Sequence, residues 1–151
     1  MFLIKGVNVM DEILNLSINE MPQTEFDCSC GKHHNFSVHD MSIRKGAIED
    51  LPKMAEPFKD GKILVKELLF DTGDDILIPD EKTLGRIVQE QDLDTSLMVA
   101  VGSGVINDSV KFVTSRSGLP YIIVATAPSM DGYVADGAPI FSQGYKYSPV
   151  A

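Results

Sequence analysis

The sequence predicts an α/β domain built on a parallel sheet, and three observations predict it. Leu97-Met98-Val99-Ala100-Val101 is an uninterrupted apolar run of strand length, the pattern of a strand covered on both faces. Gly102-Ser103-Gly104 makes a sharp turn, and Val105 to Ser117 then presents Ile106, Val110, Phe112 and Val113 for burial on a helix that Gly118 ends. A second apolar run, Tyr121-Ile122-Ile123-Val124-Ala125, follows Leu119-Pro120. Strand, glycine turn, helix and strand in that order make one βαβ unit.

The other elements follow in chain order. Met1 to Met10 lacks the long apolar core and the small-residue cleavage site of a secretory signal, and Met10-Asp11-Glu12 offers an alternative start that makes the first nine residues an upstream extension. Asp11 to Asn19 carries Ile13, Leu14, Leu16 and Ile18 among polar residues and suits a short helix or a packing arm. Pro22 to Asp40 is polar, with Phe26, Phe36 and Val38 isolated, and reads as a loop with one or two short strands. Residues 1–41 are thus an N-terminal arm and loop, and 42–151 the sheet-bearing domain.

Ser42 to Gly46 predicts a strand end, and Ala47 to Phe58 a helix with Ile48, Leu51, Met54, Ala55 and Phe58 on one face and Pro52 in its first turns. Lys62 to Val65 begins like a buried parallel strand. Lys66-Glu67-Leu68-Leu69-Phe70 follows at once and reads as the start of another strand, where a parallel connection requires a helix, so the fold is interrupted near 65–66. Pro79-Asp80-Glu81-Lys82 opens a helix through Glu90 with Leu84, Ile87 and Val88 apolar. Beyond Thr126 the chain is rich in Gly, Ala, Pro and Ser and predicts a loop, then a hairpin through Ala138 to Tyr147.

Composition sets limits on function. At 151 residues, 44% hydrophobic and 23% charged, the chain is long enough to bury a core as one globular domain. Thirteen Lys plus Arg against 22 Asp plus Glu give a net charge of −9, which repels nucleic-acid backbones while leaving room for a local anion site. No stretch approaches the roughly 20 apolar residues of a membrane helix, and a cytoplasmic protein is expected. Cys28 and Cys30, one residue apart, exclude a disulfide framework and suit a reducing compartment.

Two segments carry candidate chemistry. The Gly102-Ser103-Gly104-Val105-Ile106-Asn107-Asp108 turn joins an apolar strand to a helix, so its glycines admit a close ligand and the first helical N–H groups point at phosphates. Asn107 stands where a third glycine would complete G-x-G-x-x-G, and a tight βα turn with no ligand is the plain alternative. Thr126-Ala127-Pro128-Ser129-Met130-Asp131-Gly132 ends the next strand, on the side of a parallel sheet where ligands bind. There Thr126 and Ser129 can hydrogen-bond a cofactor and Asp131 can accept from substrate hydroxyls; a turn satisfying its own backbone is the alternative. Cys28, Cys30, His33 and His34 have metal-ligand chemistry, but their C-x-C-x-x-H-H spacing is not a zinc pair and reads as a solvated loop. No metal ligand is assigned, His39 stands alone, and the acidic Asp71 to Asp80 run reads as a solvated loop lacking the calcium-loop pattern.

Val101 to Asp108, Gly118 to Val124 and Thr126 to Tyr133 resemble the nucleotide-binding half of the sn-glycerol-1-phosphate dehydrogenase family. That family belongs with glycerol dehydrogenase, iron-containing alcohol dehydrogenases and dehydroquinate synthase. Cys28-Ser29-Cys30-Gly31-Lys32-His33 and Ile43-Arg44-Lys45-Gly46-Ala47 resemble its bacterial branch, and the likeness spans most of Glu25 to Ile140. The resemblance implies a Rossmann-like dinucleotide-binding domain over 42–151. It also implies reduction of dihydroxyacetone phosphate to sn-glycerol 1-phosphate, a reaction of phospholipid biosynthesis, with NAD or NADP and a divalent metal: zinc, nickel or iron. It implies that Gly102, Gly104, Val105, Ile106, Asn107 and Asp108 hold the dinucleotide phosphates, that Thr126 and Ser129 contact the cofactor, and that Asp131 binds the polyol phosphate. Ala135 replaces a Ser that many relatives carry. The family's metal ligands, one Asp and two His in a C-terminal helical domain, have no counterpart in these 151 residues, so the expected chain is an incomplete, inactive nucleotide-binding portion, with a homo-oligomer open. A glycerol dehydrogenase-like fragment and a non-catalytic nucleotide-binding or interaction domain are the alternatives.

Overall fold

The computed structural model describes residues 2–4, 9–59 and 66–151. It divides into two compact units, 1–51 and 52–151.

The first unit is a small three-stranded sheet. Strand β1 (Phe2–Ile4), read from sequence as an extension, pairs in parallel with β2 (Thr24–Asp27), and β2 pairs antiparallel with β3 (His33–Asn35). The expected short helix is α1 (Val9–Leu14), followed by a 3-10 turn at Ile18–Glu20. The β2–β3 hairpin closes through Gly31, whose φ of 81° is open to glycine at no steric cost. Its register sets Phe26 opposite His34 and Asp27 opposite His33. Because strand side chains alternate, Phe26 and His34 share one face while Glu25, Asp27 and His33 share the other.

Ser42 to Gly46 forms no strand. The Ser42 hydroxyl and the Arg44 guanidinium both donate to the Asp50 carboxylate, which folds the segment into a turn with Gly46 at φ 77°. The single helix expected over 47–58 is three short pieces: 3-10 at Ala47–Asp50, α2 (Leu51–Ala55) and 3-10 at Glu56–Phe58. Pro52 and Pro57 each remove a backbone donor, so no continuous hydrogen-bond ladder runs through the segment, and none of its side chains is buried.

The strand expected at Lys62–Val65 lies outside the described residues. Lys66 to Phe70 is irregular rather than a strand: it pairs with no strand among the described residues, and Leu68 and Phe70 lean on the core of the second unit. Helix α3 (Glu81–Glu90) begins where expected, its N-cap Asp80 accepting from the Thr83 N–H. Strand β4 (Met98–Gly102), helix α4 (Gly104–Ser117) and strand β5 (Tyr121–Ala125) form the predicted βαβ unit. The two strands are parallel, with Met98 opposite Tyr121 and Gly102 opposite Ala125. Gly118 caps α4 in the left-handed conformation, φ 67°. The fold class is therefore α/β with a parallel sheet, as the sequence predicts.

Ile87 of α3, Ala100 of β4 and Val110 and Val113 of α4 form the core, with Leu84, Met98, Ile106, Tyr121 and Ile123 packed against them. The helices cover one face of β4. On the other, Val99 is 45% exposed and Val101 58%. The predicted hairpin is β6 (Ile140–Ser142) and β7 (Tyr145–Tyr147), turning at Gln143-Gly144 with both φ values positive. It is tied to α3 by the Phe141 N–H on the Pro79 carbonyl and the Gln143 N–H on the Glu81 carboxylate.

Candidate functional site

The site is built where the carboxyl ends of β4 and β5 meet the start of α4. Gly102 and Gly104 keep this corner tight. A Cβ on Gly102 would lie 2.7 Å from the Ile106 side chain, and one on Gly104 would lie 2.1 Å from the Met130 methyl. Ser103 is the N-cap of α4, yet its side chain makes no capping bond, and the first backbone bond of the helix runs from the Asn107 N–H to the Ser103 carbonyl. The N–H groups of Gly104, Val105 and Ile106 therefore have no intrahelical partner and sit at the positive end of a 14-residue helix. A chain of this kind offers them to an anion.

The loop after β5 lies on the same corner. The Thr126 N–H donates to the Gly102 carbonyl at 3.0 Å, Met130 covers Gly104, and Gly132 stands against Asp108. The two predicted motifs are thus side by side. Thr126, Ser129 and Asp131 are exposed, so their hydroxyls and carboxylate are available from solvent.

Asn107 and Asp108 are placed differently. Asn107 is fully buried; its amide donates to the Asp108 carboxylate at 3.1 Å and the Gly132 carbonyl at 3.3 Å, and accepts from the Tyr121 hydroxyl at 3.4 Å. Burial pushes the Asp108 carboxyl up, against the Asn107 hydrogen bond and the Lys111 charge. Burial also pushes the Tyr121 phenol up to about 12, with the Asp108 charge adding to it.

Lys111 closes the arrangement. Its side chain is buried, and Nζ donates to the carbonyls of Gly132 and Ala135 at 2.7 Å each and to that of Gly137 at 3.5 Å. Burial lowers its pKa, opposed by the Asp108 and Asp136 charges. The signal available in sequence was its spacing: Asn107 and Lys111 are four apart on one face, toward the loop.

In the first unit the hairpin brings Cys28, Cys30 and His34 together, their ligand atoms all within 4.8 Å of one another, whereas the sequence reads this segment as a solvated loop. His33 is turned away to Asp27, at 2.9 Å, and Glu25, at 3.7 Å. The Cys28 thiol is held below its ordinary pKa, first by the Cys30 backbone N–H and then by the Cys30 side chain.

Residues 65–151 match the family model described as iron-containing alcohol dehydrogenase. The chain belongs to the iron-containing alcohol dehydrogenase family. Curated relatives named glycerol-1-phosphate dehydrogenase (NAD(P)+) include that of Bacillus licheniformis, 29% identical over 160 residues, and that of Halalkalibacterium halodurans, 27% identical over 160 residues. Each match covers 88% of this chain and 40% of the relative. The Bacillus subtilis enzyme of that name is 43% identical over 67 residues, covering 44% of this chain and 17% of its own. The chain thus spans about 40% of the length of the relatives it matches over most of its own residues. No solved structure matches it. No helix among the described residues is long and apolar enough to cross a membrane.

An iron-containing alcohol dehydrogenase implies a nucleotide and a metal. The uncapped helix start and the exposed Thr126 and Ser129 hydroxyls fit a phosphate-bearing cofactor. The same corner does not fit a metal. Among the described residues the one group of three or more potential ligands is Cys28, Cys30 and His34, and it belongs to the other unit.

Proposed function

We propose that the β4–α4 corner binds the pyrophosphate of NAD or NADP. In this reading the chain is the nucleotide-binding portion of a dehydrogenase interconverting dihydroxyacetone phosphate and sn-glycerol 1-phosphate. The observation that carries the reading is the juxtaposition of an uncapped helix start with the exposed Thr126-to-Asp131 loop. The N–H groups of Gly104, Val105 and Ile106 receive the phosphates, and Gly102 lets the chain turn beneath them. Asn107 and Asp108 hold the turn and the loop together from below. Thr126 and Ser129 donate to the cofactor, and Asp131 accepts from a substrate hydroxyl. The bound nicotinamide supplies hydride chemistry. The relatives' names, glycerol-1-phosphate dehydrogenase (NAD(P)+), support glycerol 1-phosphate and a nicotinamide nucleotide as the reactants. None of the His residues of this chain lies in the β4–α4 unit, so these 151 residues hold nucleotide without turning over.

NADH binding followed by its fluorescence tests the reading. The chain should bind NADH saturably, and Gly104→Val, whose side chain must displace Met130 at the helix start, should weaken binding at least tenfold while circular dichroism stays unchanged. Equal binding by the variant sinks the assignment. With NADH, dihydroxyacetone phosphate and zinc or nickel, no NADH should be consumed; metal-dependent oxidation would overturn the claim of incompleteness.

A further inference from the structure

We propose that Cys28, Cys30 and His34 form a binding site for a zinc-class cation, separate from the nucleotide corner and independent of the function proposed above. The hairpin assembles it. Cys28 follows β2 directly, and its N–H and carbonyl pair with Lys32 and Gly31 at 2.9 and 3.0 Å, which fixes the start of the turn. Gly31, at φ 81°, reverses the chain so that the Cys30 N–H comes within 3.4 Å of the Cys28 sulfur. His34 returns on β3, its ring stacked on Phe26 with centroids 5.2 Å apart and planes 20° apart, and its Nε2 lies 3.3 Å from the Cys30 sulfur.

These are the donors a borderline-soft divalent ion selects: two thiolates and one imidazole. Around a tetrahedral zinc, donor atoms stand about 3.5–3.8 Å apart, as Zn–S near 2.3 Å and Zn–N near 2.0 Å require. The three atoms here, all within 4.8 Å, need shifts of an ångström or less to reach that geometry. Phe26 sets the imidazole plane in advance, so little side-chain freedom is lost on binding. His33 supplies no fourth ligand: alternation puts it on the opposite face, held by Asp27 and Glu25. Water takes the fourth position on this exposed hairpin. The C-x-C spacing hides the site in sequence because the third ligand arrives through strand register rather than through a motif.

Cobalt(II) titration of the full chain, kept reduced, tests the proposal. Expected is one cobalt per chain, with thiolate-to-metal charge-transfer absorption and the visible bands of a tetrahedral ion, displaced by zinc. Replacing both Cys28 and Cys30 with Ser should abolish the charge-transfer band. His34→Ala should weaken affinity roughly a hundredfold or more, since even loss of a supporting group around a site costs about 10–100-fold. His33→Ala should leave it unchanged. Absence of the charge-transfer band in the reduced chain overturns the site, and an equal loss in His33→Ala overturns the ligand set. Circular dichroism of each variant separates loss of a ligand from loss of the fold, and none of these readouts depends on nucleotide binding.

Discussion

Tyr121 shows how much a single side chain depends on its surroundings. Its ring packs against the core while its hydroxyl reaches the buried Asn107 amide, and burial holds its pKa near 12. The folded state therefore keeps its proton when the unfolded state, ionising near 10, has lost it. Stability is unaffected by this group below about pH 10 and falls as pH climbs from about 10 to about 12. A spectrophotometric titration should show a late tyrosine ionisation near pH 12, and Tyr121→Phe should remove that step. At this scale the sequence was least legible. Asn107 reads as a substitute for a glycine, and only the fold shows that it is a fully buried junction between a helix, a strand and a loop. Cys30 and His34 read as solvated because neither spacing nor periodicity reports that a hairpin will bring them to 3.3 Å.

The elements divide by how much of their cause is local. Strand β4, helix α4 and strand β5 were legible because an apolar run, a glycine pair and a left-handed C-cap are local signals that all agree. The helical stretch 47–58 is legible in its extent but not in its continuity, because its apolar periodicity is helical while two prolines withhold backbone donors. The 66–70 strand was misread because strand character needs a partner, which no local pattern supplies. The loop after β5 is the opposite case: it has little regular structure, and α4 holds it through Lys111. Replacing Lys111 with Met leaves the Ala135 carbonyl without its side-chain donor and the Gly132 carbonyl with the Asn107 amide alone, which should cost about 1–3 kcal/mol. Hydrogen exchange should quicken in 132–137 while β4 and β5 stay protected. Unchanged exchange there would mean that the lysine does not hold the loop.

Taken as a whole, the molecule puts the sequence's clearest signal at odds with its covering. The apolar runs of β4 and β5 are those of strands buried on both faces, yet among the described residues α3 and α4 pack on the Ala100 side of β4 while Val99 and Val101 stand open to water. The net charge of −9 works against the exposure by keeping copies apart. Those two forces respond oppositely to ions, because added salt shortens the reach of the repulsion, to about 8 Å at 0.15 M, and leaves apolar attraction intact. The chain should accordingly behave as a salt-triggered colloid, dispersed in dilute buffer and clustering reversibly as sodium sulfate is added. Light scattering should register that onset. Exchanging Val99 and Val101 for Thr, which keeps the β-branch and adds a hydroxyl, should move it to higher salt, and an onset that does not move would place the adhesive surface elsewhere.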